Sequence, residues 1–281
     1  MSGHARTTRR ALLGAAGAGL VALGLAGCST TATTVPPAAG AMVSANGVRD
    51  LRDEQQAANM AIITGEAIRR GLPPRAVSIA IVTAMQESKL YNLDYGDRDS
   101  VGLFQQRPSQ GWGTAAQIMD PWYSAGKFYD ALVQVRDWQN DPINDVAQAV
   151  QRSGVPDGYA EHEPLGRAWA SALTGHDPAA VTMVDRSNAP GDPEALREFL
   201  ARVWPSGLSV TPTASGLDIQ APDHTTAWSL AQLLICRGPA SGLVSLQVGP
   251  VTWQNSGTAR NPWQGTDDAS ATQVQMGTRT P

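Results

Sequence analysis

The stretch that most constrains this chain runs from Arg75 to Pro108, reading RAVSIAIVTAMQESKLYNLDYGDRDSVGLFQQRP. Between Ala76 and Met85 nearly every position is apolar, which predicts a helix buried over most of its circumference. Pro73 and Pro74 in front of it suit a helix start, where a missing N–H costs little. On such a helix Glu87 shares a face with Ala80, Thr83 and Ala84, one and two turns back. Its carboxyl therefore looks into apolar surroundings, and desolvation raises a carboxyl pKa by disfavouring the charged form. A carboxylic acid that stays protonated near neutrality can give its proton to a leaving oxygen, as cleavage of a glycosidic bond requires. The polar return that follows is rich in Gly, Asp and Gln, residue types able to hold a hydroxyl-bearing substrate against that acid.

Gln86-Glu87-Ser88, followed by Gly102-Leu103-Phe104-Gln105 with Gln105 eighteen positions after the Glu, resembles the lytic transglycosylase and goose-type lysozyme superfamily. That superfamily's signature is a Glu-Ser followed by Gly-Leu-Met-Gln. The longer string NLDYGDRDSVGLFQQRPSQGWGTAAQIMDPWYSAGKFYDAL is similar to an actinobacterial branch of it, and the likeness covers about Asp50 to Thr174. The resemblance implies a lysozyme-like fold in which Glu87 is the general acid/base of a single-carboxylate site. It also implies that Ser88, Gly102, Phe104, Gln105 and Gln106 belong to the glycan-binding surface. Where many transglycosylases carry Ala-Tyr-Asn-Ala-Gly, this chain has Ala149-Val150-Gln151-Arg152-Ser153-Gly154. The Tyr and Asn roles do not carry over, and Tyr159, shortly after, is the candidate substitute. Asp94, Asp97 and Asp99 either cap turns or supply a second carboxylate that activates water. Trp112 is either a sugar-stacking wall or a loop anchor.

Residues 1–27 read as an export signal: Thr8-Arg9-Arg10 precedes an uncharged Ala/Gly/Leu run too short for a persuasive membrane span. Leu25-Ala26-Gly27-Cys28 resembles a bacterial lipoprotein cleavage box, which makes Cys28 the lipidated first residue of the mature protein. The paired arginines admit either a general or a twin-arginine export route. The expected location is thus the outer face of the cell membrane, with the chain tethered by lipid. Residues 28–48 have linker composition, with a reach of at most about 3.5 Å per residue. Cys236, the other of two cysteines, lies in the apolar run SLAQLLIC and is expected as a buried hydrophobe.

Without residues 1–27, which carry Arg6, Arg9 and Arg10 and no acid, 18 basic groups face 25 acidic ones, a formal charge of −7. Such a chain, with no basic stripe, is a poor nucleic-acid binder. The four histidines, His4, His162, His176 and His224, show no ligand spacing, so neither metal nor cofactor is expected. The fold expectation is α+β: a mainly α lysozyme-like lobe over 49–204, helical from Asp50 onward, and a small α+β C-terminal module over 205–281. The expected function is cleavage of the β-1,4 bond between N-acetylmuramic acid and N-acetylglucosamine in peptidoglycan. The alternative is a non-catalytic peptidoglycan-binding or scaffolding lipoprotein.

Overall fold

The structure, a computed structural model, describes residues 39–152 and 157–280. The expected signal at 1–27, Cys28 and the start of the linker lie outside these residues. The remainder of that linker is no tether, which corrects the reading of 28–48. Ala39–Ala45 (β1) and Val48–Asp53 (β2) form a hairpin. Its turn is Asn46-Gly47, with both residues at positive φ, the pair that two-residue hairpin turns favour. Val181–Asp185 (β3) pairs with the other edge of β1, so the order is β2-β1-β3 and the supposed linker is the central strand. Its Ala41 and Val43 are fully buried.

Helix α1 (Glu54–Arg69) starts four residues later than the sequence reading placed it, because Asp50 to Asp53 belong to β2. Asp53 then caps it: its carboxylate accepts the Gln56 N–H while the Gln56 side chain accepts the Asp53 N–H, a reciprocal pair that closes the first turn. Helix α2 (Pro74–Ser88) is the expected apolar helix, buried without a break from Ala76 to Met85. Val77, Ile79, Ile81 and Val82 are each fully buried and each contribute about 1.5–3 kcal/mol by leaving water. The two hydroxyls in the run bond their own helix: Thr83 Oγ1 donates to Ile79 O at 2.8 Å and Ser78 Oγ to Pro74 O at 3.3 Å. Around α2 stand α1 and three further helices, α4 (Pro121–Leu132), α5 (Ile143–Gln151) and α6 (Glu163–Leu173), with the short α3 (Ala115–Ile118) packed on α4. Of these, α6 approaches closest, at Gly166, where a Cβ would lie 2.4 Å from Val82 Cγ2.

The last third comprises α7 (Pro193–Val203), β4 (Ser209–Pro212), β5 (Gly216–Gln220), α8 (His224–Arg237), β6 (Leu243–Val248), β7 (Val251–Gln254) and β8 (Gln273–Thr278). Its strands form one antiparallel sheet in the order β4-β5-β8-β6-β7. The fold class is therefore α+β, but the C-terminal part is not a separate module. Helix α8 lies between that sheet and the helices α1 and α6, and one core runs through both parts. Gln232 on α8 shows how tightly. Its Nε2 donates to Ala172 O at 2.5 Å and Asp177 O at 3.1 Å, and its Oε1 accepts from the amides of Ala180 and Val181 at 3.0 and 2.9 Å. A fully satisfied buried amide of this kind fixes the register of two elements. Among the described residues no helix is long and apolar enough to cross a membrane.

Because β1 is a central strand, a chain beginning at residue 37 is expected to unfold in one cooperative thermal transition. A chain beginning at residue 49 is expected to lose that cooperativity. Equal melting curves for the two would show that β1 is dispensable.

Candidate active site

Helix α2 ends abruptly. Lys89 and Leu90 both adopt positive φ, 55° and 67°, and turn the chain away as soon as Glu87 and Ser88 have been delivered. Ser88 is buried, and its Oγ lies 2.8 Å from Leu103 O and 3.1 Å from Ala84 O. The hydroxyl thus clasps the end of the helix to the Gly102–Gln105 turn. It is not open to a ligand, which corrects its expected place on the glycan-binding surface.

The turn itself is anchored from below. Gly102 has φ 80°, where a Cβ would sit 2.9 Å from Ile118 O, and its N–H donates to Leu93 O at 2.6 Å. A side chain there would be both strained and obstructed. Phe104 is fully buried, its ring stacked on Phe128 with centroids 4.6 Å apart. Gln106 is 1% exposed and donates from Nε2 to Ser124 O at 3.1 Å. The side chains of Phe104 and Gln106 therefore point into the core, contrary to the sequence expectation. Burial of the aromatic and of the second amide is what holds the turn in place. Gln105, half-buried with φ 47°, folds its amide back to Gly102 O at 3.2 Å and Tyr95 O at 3.3 Å.

Glu87 is half-buried. Tyr159, buried and arriving seventy-two positions later in the chain, donates its hydroxyl to Glu87 Oε1 at 2.6 Å. Gln151, the last residue of α5, donates from Nε2 to Phe104 O at 2.7 Å and lies beside the same carboxyl. Burial raises the Glu87 pKa, the Tyr159 and Gln151 hydrogen bonds oppose the rise, and burial wins. The shift is toward the neutral form, and with Tyr159 donating to Oε1 the proton of that form belongs on Oε2. Beside it, His162 Nε2 lies 3.1 Å from Gln86 Oε1. Burial lowers the His162 pKa, and since an amide oxygen only accepts, Nε2 carries the hydrogen in this contact.

No carboxylate is among the groups that shift Glu87. Asp94 and Asp97 are exposed. Asp99 accepts from Arg107 Nε and the Ser109 N–H, each at 2.8 Å, and these bonds hold its carboxyl well below the usual range. It braces the base of the loop. Among the described residues no cluster of three or more His, Cys, Asp or Glu is arranged to hold a metal ion.

A groove of about 710 Å³ shares Gln151 with this site and is otherwise lined by Gln110, Trp112, Gln134 and Arg152 and by the apolar Ala131, Val135, Ala149 and Val150. Gln151 belongs to both groove and acid. Trp112 packs on the core, as a loop anchor does, and its side also lines the groove. The residue that sequence reasoning missed is Gln151, which stood in the motif position read only as the loss of a Tyr-Asn pair. Its signal was an amide at the end of an amphipathic helix, too common to single out. No protein-family model matches the chain, and no curated protein is significantly similar to it.

The raised Glu87 pKa sets the sign of a stability effect. Above its folded-state pKa the ionised group costs the fold stability. Below the ordinary value of 4.5 both states are protonated and the cost vanishes. Glu87→Gln is thus expected to raise the melting temperature at pH 7, with the gain shrinking to nothing as pH falls below that value. A variant less stable at pH 7 would contradict the burial of this carboxyl.

Proposed function

We propose that this protein is a glycan-cleaving enzyme of the lytic transglycosylase or lysozyme type. Its substrate is the β-1,4 bond between N-acetylmuramic acid and N-acetylglucosamine in peptidoglycan. The observation that carries the reading is a half-buried Glu87 whose pKa burial raises, oriented by Tyr159 at 2.6 Å and joined through Gln151 to a groove that also carries Gln110, Gln134 and Trp112. The motif resemblance around Glu87 and the Gly102–Gln105 turn points the same way. The Leu25-Ala26-Gly27-Cys28 box supports lipid anchoring outside the membrane, where this polymer lies.

Glu87 Oε2 gives its proton to the glycosidic oxygen as the bond from the anomeric carbon breaks, leaving a carboxylate and a cation-like sugar. Among the described residues no second carboxylate acts on Glu87, and in this reading the sugar supplies its own nucleophile. The 6-hydroxyl attacks the anomeric carbon while Glu87 takes its proton, and a 1,6-anhydro sugar forms with the acid regenerated. Tyr159 and Gln151, both donors, hold the carboxylate between the two transfers, when it carries its full charge.

Incubation of purified peptidoglycan with the full-length protein is expected to release 1,6-anhydro muropeptides by mass spectrometry, and Glu87→Gln to reduce release at least about 100-fold. The rate is expected to fall as pH rises through the raised carboxyl pKa. Equal product from both proteins removes Glu87 as the acid, and product from neither supports the binding-lipoprotein alternative.

A further inference from the structure

The groove beside Glu87 is nearly free of charge. Gln110, Gln134 and Gln151 offer amides, Trp112 a flat ring, and the single ionised side chain among its described lining residues is Arg152. Arg152 caps α5 in the left-handed conformation, φ 54° and ψ 40°, with its N–H on Gln148 O at 2.7 Å. The backbone fixes where this cation starts. Its side chain is exposed and meets no carboxylate among the described residues; Arg49, Arg202 and Arg260 also lack one, but none of those lines the groove. In a chain with more acids than bases, the cation in the groove is left without a partner of its own. A cation at a helix C-terminus also complements the helix dipole, but that role does not require a groove.

We propose that Arg152 binds a carboxylate on the glycan, so that the groove selects acidic amino-sugar chains over neutral chitin-like ones. The inference rests on the glycan-cleaving reading above and deepens it. The amides meet acetamido and hydroxyl groups, the indole covers a sugar face, and the guanidinium forks onto the acid. Two sources share this chemistry: the lactyl carboxylate of muramic acid, and the carboxylates of a peptide attached to it.

The test is calorimetric binding to the full-length protein carrying Glu87→Gln, which stops turnover. The probes are a peptide-free tetrasaccharide of alternating N-acetylmuramic acid and N-acetylglucosamine, its methyl ester, the peptide-bearing tetrasaccharide, and chitotetraose. At low salt an acid-bearing probe is expected to bind about tenfold more tightly than the ester and chitotetraose. Adding Arg152→Gln should bring that ratio close to one, and Arg152→Lys should retain part of it. A preference for the peptide-free acid assigns the lactyl carboxylate, and one confined to the peptide-bearing probe assigns the peptide. Glycans that bind without preference, or a preference that survives Arg152→Gln, overturn this inference alone. Failure of every probe to bind, together with no cleavage by the unsubstituted protein, overturns the glycan-groove reading and this inference with it.

Discussion

The contest at Glu87 between burial and hydrogen bonding organises this structure. Burial alone would make the carboxyl a poor anion, and hydrogen bonding alone would make it a poor acid. The end of α2 supplies the first term and the Tyr159 hydroxyl and Gln151 amide supply the second. Burial prevails, and the two donors face the charge that forms when the proton departs. An acid of this kind needs a wall that does not yield, and the wall is the unbroken buried run from Ala76 to Met85.

That wall depends on distant parts of the chain. Close approach at Gly166 seats α6 on α2, and the chain leading into α6 carries Tyr159 to the acid and His162 to Gln86. Helix α8 packs on α6 and α1 from behind, tied through Gln232 to the end of α6 and to β3. The C-terminal sheet thus buttresses the helices that position the site. Cys236 sits in this buttress, fully buried, with burial pushing its thiol well above the usual range, so it acts there as a small hydrophobe.

Much of this was legible in the sequence where a pattern is local. The buried helix was readable because nearly every position from Ala76 to Met85 is apolar. Strand β1 was not, since Ala-Gly-Ala-Met-Val-Ser-Ala has the texture of a linker and becomes a strand only through the partners on both its edges. Near Glu87 the motif told which residues gather but not where they point. Phe104 and Gln106 turn inward because Phe128 and Ser124 O await them on α4, partners the motif does not contain. Gln151 was hidden for the converse reason: its importance comes from reaching Phe104 O, forty-seven positions away.

The central claim is that Glu87 holds its proton beyond the range of an ordinary carboxyl. The most direct measurement is a carboxyl carbon NMR titration of the folded protein, with the Glu87 resonance assigned by its loss in Glu87→Gln. The account predicts a midpoint above the ordinary value of 4.5, moving higher still in Tyr159→Phe as a donor to the charged form is removed. A midpoint at or below 4.5, or one that Tyr159→Phe lowers, would contradict it.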